Sequence, residues 1–261
     1  MGRSKGFSLV ELAVALAIIA LLLAGALIPL STQIEVRNAA DSRRSMESIR
    51  EAIIGFAQAN GRLPCPANGT LAAGTAGAGT EQLSGASPNT TCTNVSGVVP
   101  WATLGVSEAD AWGRRFSYWV SQNFADGIGL SSFGCAPTPT PTQSSFALCS
   151  LGTLTVNTRK ESDHTASPVG LVLPAVIISH GKNGFGAYTV GGGPRLAVPA
   201  GTDEASNATD AGTIFYSRTS TPSASPCSDA AGPSFCGFDD IVVMISSSAL
   251  IARMVAAGRL P

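Results

Sequence analysis

Between Phe7 and Gln33 the chain carries one charge, Glu11, and from Leu12 to Thr32 it carries none. As a helix rising 1.5 Å per residue, those 21 residues reach about 31 Å, enough to cross the hydrocarbon core of a bilayer. The run therefore predicts a membrane-spanning helix. A secretory signal peptide would also set Arg3 and Lys5 ahead of an apolar stretch. Three features oppose that reading: the basic leader is six residues, Glu11 lies inside the apolar start, and no small-x-small cleavage site follows before Glu35.

The segment KGFSLVE, with Gly6 before Phe7 and Glu11 four residues on, resembles the processing motif of type IV pilins and of the pseudopilins of type II secretion. The resemblance implies a membrane aspartyl protease, the prepilin peptidase, that cuts after Gly6 and methylates the new amine of Phe7. It also implies a role for Glu11 in assembly. A carboxylate in hydrocarbon costs about 2.5–3.5 kcal/mol on the insertion scale and needs a cationic partner, which a neighbouring subunit's Phe7 amine supplies. The plainer alternative is a helix-start glutamate favoured by the macrodipole and reaching back to the interface.

Beyond a predicted kink at Pro29, Ala39, Met46, Ile49, Ile53 and Phe56 recur at helical spacing, with Arg43, Arg44, Glu47, Arg50 and Glu51 mostly opposite. Gly61, Pro64 and Pro66 end the pattern. One helix from about Phe7 to Asn60 is expected, half in lipid and half packed on a head. Phe116 to Ser121, Leu151 to Asn157, Val169 to Ser179, Thr213 to Ser217 and Asp240 to Ser246 read as strands. Leu250, Ile251, Met254 and Val255 form one face of a short helix closing at Gly258. Four segments lack periodicity: Ala67 to Gly97, Gly134 to Ser145, Gly191 to Gly212 and Arg218 to Ser234. Loops of that length need a function or a staple.

Cysteines supply the staples. Cys65, Cys92, Cys135, Cys149, Cys227 and Cys236 are an even set without C-x-x-C and with neither His164 nor His180 nearby, which disfavours zinc. Downstream of a membrane segment they fit disulfides in an oxidising compartment. Fifteen pairings exist; sequential closure favours Cys135 with Cys149 and Cys227 with Cys236, leaving Cys65 with Cys92. The expected fold is α+β and pilin-like: leader 1–6, transmembrane and assembly helix 7–33, amphipathic helix 34–60, and a periplasmic head 61–261 of antiparallel sheet with long disulfide-stapled loops.

Within the head, DAWGRRFSYWV at Asp110 to Val120 looks like the D-x-W-G element of the major pseudopilin, with Arg114 and Arg115 in place of the usual Asn-Pro. GFAQANGRLP, ISHGKNGFGAYT and DDIVV resemble that family's helix exit, late Ser-x-Gly loop and Asp-Ile segment. The resemblance implies calcium in that loop. Calcium takes six to eight oxygen ligands, and Asp239, Asp240, Ser179 and Asn183 are the candidates here. Otherwise Asp239 and Asp240 form an ordinary turn before a strand.

No G-x-S-x-G, H-E-x-x-H or phosphate-binding G-x-x-x-x-G-K-[ST] is present, and GKNGFG lacks the strand-to-helix setting of a nucleotide loop. The chain reads as no enzyme. Charged residues make up 13%, about half the usual share. Sixteen Lys and Arg against 17 Asp and Glu give −1, and loss of Arg3 and Lys5 with a leader leaves 14 against 17, or −3. A nucleic-acid partner is thereby disfavoured, apart from a local patch of Arg114, Arg115 and Arg195.

The resemblance implies a structural subunit of an envelope filament, a type II secretion pseudopilus or a minor type IV pilus subunit. Its partners are other copies or related pilins, the prepilin peptidase and an inner-membrane assembly platform. Its place is the bacterial inner membrane, single-pass with the N-terminus cytoplasmic and the head periplasmic, then the filament. The alternative is an adhesin or DNA-uptake subunit whose enlarged loops bind a ligand. Mass spectrometry of the assembled form should find N-methylated Phe7 as first residue, and Gly6→Val should block maturation while leaving membrane insertion intact; Met1 retained on assembled protein would exclude the pilin reading.

Overall fold

The computed structural model describes residues 6, 8–130, 143–232 and 234–260, except the side chains of 22–31 and 130. Phe7, the leader residues 1–5 and Cys135, for which the sequence sets expectations, lie outside the described residues. Two compact units divide the chain, Met1–Ala40 and Asp41–Pro261.

The first unit consists of the greater part of α1 (Leu9–Asn60). Its apolar side chains from Leu9 to Leu21 are exposed. The helix runs on across Pro29 without a break, in agreement with the single helix expected to Asn60. One proline removes one rung of the ladder, and the turns on either side keep theirs.

In the second unit α1 is followed by β1 (Leu83–Ser84), β2 (Thr91–Cys92), β3 (Ser96–Val98), α2 (Trp101–Leu104), β4 (Arg114–Arg115), β5 (Ser117–Val120) and α3 (Gln122–Ala125). Then come β6 (Leu154–Arg159), β7 (Ala166–Leu173), β8 (Ala175–Ser179), β9 (Tyr188–Thr189), α4 (Asp203–Asn207), β10 (Ile214–Tyr216), β11 (Ile241–Ile245) and α5 (Ser247–Ala256). A four-stranded antiparallel sheet in the order β11-β8-β5-β3 is central, and a three-stranded sheet, β10-β6-β7, accompanies it. Two short antiparallel pairs, β1-β2 and β4-β9, form separate two-stranded sheets.

The central sheet is buried on both faces, and the two-residue period of a strand decides which side chain goes where. Phe116, Tyr118, Val120, Ala175 and Ile177 share one core with Met46, Ile49, Ile53 and Ala57 of α1 and with Leu250 and Met254 of α5. Trp119, Val176 and Ile178 join Leu154, Val156, Leu173 and Phe215 of the smaller sheet. Thus AVIIS of β8 is buried at every position, as a strand covered on two sides must be.

Several sequence expectations need correction. Val169 to Ser179 is two strands in two sheets, because Pro174 lacks an amide for the ladder and the chain crosses there from β7 to β8. The head is not wholly antiparallel, since β10 runs parallel to β6. Val255 is exposed and does not share the buried face of α5, which belongs to Leu250 and Met254 with Ile251 half-buried. The aperiodic segments hold short elements, β1 to β3 in the first and α4 in the third.

Two disulfides close loops in the described residues, Cys65–Cys92 and Cys227–Cys236, with 27 and 9 residues of separation. Cys149 is also disulfide-bonded. Buried ion pairs do similar work. Arg115, wholly buried, donates to Glu108 Oε1 (3.0 and 2.7 Å) and to the carbonyls of Gly69 (3.0 Å) and Val190 (3.3 Å), and its guanidinium lies 4.6 Å from the Trp101 ring centroid. Truncating a buried side chain of the α1 stripe should cost about 2–5 kcal/mol by the usual cavity scale. Urea unfolding should place Ile53→Ala in that range and Val255→Ala within about 0.5 kcal/mol of wild type.

Candidate functional site

Two regions gather the residues singled out by sequence. At the N-terminus, Gly6 is exposed and a Cβ built on it meets nothing within 4 Å. The chain itself therefore sets no requirement for glycine there. Glu11 opens α1 in a reciprocal cap: the Ser8 amide donates to Glu11 Oε2 (2.9 Å), and the Glu11 amide donates to Ser8 Oγ (3.2 Å). That is a capping box, two otherwise orphaned donors satisfied together. In the single chain the carboxylate is thus a helix start, exposed and available to exchange its amide for a stronger donor.

In the head, the loop after β8 is shaped by Arg114. Its Nη1 donates to the carbonyls of Gly181 and Lys182, both at 2.7 Å, and Nη2 to that of Asn183 at 3.4 Å. Gly184, at φ +65°, admits this guanidinium; a Cβ there would sit 1.9 Å from Arg114 Nε. Gly181, at φ +55°, lets Asp239 approach, since a Cβ would lie 2.4 Å from its Oδ1. Loop carbonyls suited to a cation are therefore committed to a side chain.

Of the four candidate calcium residues, the fold separates one. Ser179 Oγ donates to Asp110 Oδ2 at 2.6 Å and is committed there. Asn183 stays close but as a donor: its amide nitrogen faces Glu204 Oε1 and Oε2 at 2.8 and 3.1 Å, and its Oδ1 accepts from the Phe185 amide. Asp239 and Asp240 are joined by Glu204 of α4, the carboxylate oxygens of the three lying within 4.8 Å of one another. Asp239 Oδ1 and Asp240 Oδ1 are buried without a hydrogen-bond partner. The remaining oxygens are held by the Asn183 amide on Asp239 Oδ2 (2.9 Å), Asn207 Nδ2 on Asp240 Oδ2 (2.7 Å) and the Asp239 amide on Glu204 Oε1 (2.9 Å).

Carboxylates gathered out of water repel one another, and burial favours the neutral form of Glu204 and Asp239. Desolvation, then the charge of Asp240, pushes Glu204 up to about 8. Asp239 is also raised, first by desolvation. A donor set of carboxylates with two idle oxygens suits a hard divalent cation, so the residues fit the group although not in the combination read from sequence. Glu204 was missed. Thr202, whose Oγ1 accepts from the Ala205 amide at 3.1 Å, with Asp203 and Glu204 in the next turn, marks a helix start; nothing in the sequence brings that helix to Asp239.

His180 has a partner on each side. Nε2 is 2.9 Å from Ser117 Oγ, and Nδ1 is 3.4 Å from Asp240 Oδ1 without hydrogen-bond geometry. The order Ser, His, Asp is that of an activated nucleophile. Here all three side chains are closed off from solvent, and Ser117 Oγ accepts from Arg195 Nη1 at 3.0 Å. A hydroxyl that no substrate reaches is a strut. The arginine patch is likewise corrected: Arg115 is wholly buried, and Arg195 is mostly buried and paired with Asp210, because their guanidinium groups satisfy carbonyls and acids of the long loops.

The described residues thus form a helix-and-sheet protein with an N-terminal helix and two disulfides. A family described as the prokaryotic N-terminal methylation motif matches residues 1–27. The match supports the type IV pilin and pseudopilin recognition carried by KGFSLVE, and the chain carries the N-terminal segment of that family. No curated protein and no solved structure matches it. Such a motif implies, in general, a pilin-like subunit that is processed, anchored in a membrane and associated with a filament, structural in kind. Among the described residues no helix is long and apolar enough to cross a membrane.

The acid cluster gives the head a pH signature. Glu204 is raised from 4.5 to about 8, so the folded state holds a proton that the unfolded state has released between those values. Stability from this group is complete below pH 4.5 and is lost as pH rises through 8. Thermal melts in chelator should fall between pH 5 and 9, and Glu204→Gln should flatten most of that fall; a wild-type melt independent of pH over this range would contradict the burial of these acids.

Proposed function

We propose that the chain is a structural subunit of a pilus-like envelope filament, a type II secretion pseudopilus or a minor type IV pilus subunit. The observation that carries the proposal is the methylation motif over residues 1–27. The exposed apolar side chains from Leu9 to Leu21 agree with it, since such a surface needs lipid or neighbouring copies around it. In this reading the prepilin peptidase cuts after Gly6, whose open surroundings leave the requirement for glycine to the enzyme. The new Phe7 amine of one copy then pairs with Glu11 of another, displacing the Ser8 cap. The partners are related pilins and an inner-membrane assembly platform, and the head stands on the periplasmic side where its disulfides persist.

The decisive variant is Glu11→Ala. Loss of the carboxylate should leave a processed, membrane-inserted subunit whose incorporation into filaments drops by about tenfold or more, read by shearing and immunoblotting, whereas Glu11→Asp should retain part of it. Normal incorporation of Glu11→Ala would reduce Glu11 to its capping role.

We further propose that calcium neutralises the cluster of Glu204, Asp239 and Asp240. The idle Asp239 and Asp240 oxygens support this, while the carbonyls of Gly181, Lys182 and Asn183 are held by Arg114. Bound calcium would supply charge neutralisation and hold α4 against the start of β11. A calcium concentration 100-fold above its dissociation constant should add about 2.7 kcal/mol at pH 8, seen as a higher melting temperature. Glu204→Gln should lose most of the increment, and a chelator-insensitive melt of wild type would remove calcium.

A further inference from the structure

Away from the acid cluster, two clefts adjoin at Asp210. The larger, about 450 Å³, is walled by Trp119, Val120 and Leu154 and edged by Asn123, Asp126 and Thr213. The smaller, about 190 Å³, is lined by Asn68, Gln82 and Asn94, with Ser96 and Tyr188. Asp210 borders both. The larger volume is in the range of small-ligand sites.

Asp210 is held in place. Arg195 Nε and Nη2 both donate to its Oδ1, at 3.0 and 2.6 Å, so among the described residues no hydrogen bond reaches Oδ2. Arg195 in turn is fixed by its bonds to Ser117 Oγ and the Gly186 carbonyl (2.9 Å), and its guanidinium lies 4.3 Å from the Tyr188 ring centroid and 5.2 Å from that of Trp119. One mostly buried arginine therefore braces the aromatic wall of each cleft and holds Asp210, an exposed carboxylate that borders both. A carboxylate set in advance loses little freedom when it accepts a hydrogen bond.

The chemistry of the walls narrows the occupant. No lysine or arginine lines either cleft among the described residues, and the formal charges are Asp126 and Asp210. An anionic ligand such as a nucleic acid would meet repulsion without compensation. A cationic ligand would find Asp210 already ion-paired, and Asp126, 8% exposed, has its carboxyl raised by burial. The larger cleft is mostly apolar, and the remaining polar groups that edge the two clefts are neutral: amides such as Gln82, Asn94 and Asn123 and hydroxyls such as Ser96 and Thr213. A ligand matched to such walls has an apolar face along its length, with uncharged donors and acceptors at its edges.

We propose that the paired clefts meeting at Asp210 bind a short neutral oligosaccharide, its hydroxyl groups donating to Asp210 Oδ2 and exchanging hydrogen bonds with the amide side chains. This inference goes beyond the filament reading and does not depend on it. Binding is read on the single subunit, so failure of assembly and failure of sugar binding are distinguishable.

The test is calorimetric titration of the full chain in a polyoxyethylene detergent, which carries no sugar headgroup, with chitotriose and with maltotriose; tri-lysine and a thymidylate dodecamer serve as the other ligand classes. Saturable binding of at least one trisaccharide is expected, with a change in tryptophan emission from the Trp119 wall. Asp210→Asn should weaken it at least tenfold, and Thr213→Trp, at an exposed rim position, should abolish it. Both variants should melt within about 4 °C of wild type, roughly the shift that 1 kcal/mol produces in a domain of this size. If Asp210→Asn melts lower, Thr213→Trp alone decides. No saturable heat with either trisaccharide, trisaccharide binding unchanged in a well-folded variant, or saturation by tri-lysine or the dodecamer alone would each overturn the proposal.

Discussion

Burial of one stripe of α1 against one face of the central sheet is the constraint on which the head depends. Met46, Ile49, Ile53 and Ala57 are fully buried with Tyr118, Val120 and Ile177 around them. Each large apolar side chain so placed is worth about 1.5–3 kcal/mol relative to exposure. Once that face is occupied, the two-residue period turns Trp119, Val176 and Ile178 to the other side, where they need the smaller sheet. A shift of one residue in β8 would exchange the two cores.

Around this frame the loops are held by charge as much as by sulfur. Arg218 donates to Asp203 Oδ2 (2.9 Å) and Asp229 Oδ1 (2.8 Å), and Asp229 Oδ1 also accepts from the Cys236 amide (3.0 Å), so an ion-pair network sits against the Cys227–Cys236 bridge. Arg115 does the same for the loops at Gly69 and Val190. Removing one member of such a network leaves a buried charge unmatched, which costs more than the pair adds. In a chain with 13% charged residues, the few charges are spent on tying loops as well as on meeting solvent.

The N-terminal carboxylate and the head's acids follow one rule in different surroundings. Glu11 is satisfied within its own chain by a capping box and is exposed. Glu204 is satisfied by Asn183 and the Asp239 amide, yet remains close to two other acids. Desolvation, then the charge of Asp240, pushes Glu204 up, whereas Glu11 lies open to solvent at its helix start.

The local features were legible in sequence because they depend on neighbours along the chain. KGFSLVE showed the processing motif, the three-and-four spacing of Met46, Ile49 and Ile53 showed the buried stripe, and the apolar runs marked β5, β8 and β11. What sequence could not show was which loop residues meet. Glu204 is 35 residues from Asp239 and lies on a helix of five residues, too short to leave a periodic signal. Ser179, adjacent to the loop in sequence, turned instead to Asp110 on the opposite face of its strand from His180. Arg115 reads as a surface charge until the fold surrounds it with carbonyls. Periodicity reports which face of an element is buried; only closure of the long loops over the sheet decided which charges are buried together.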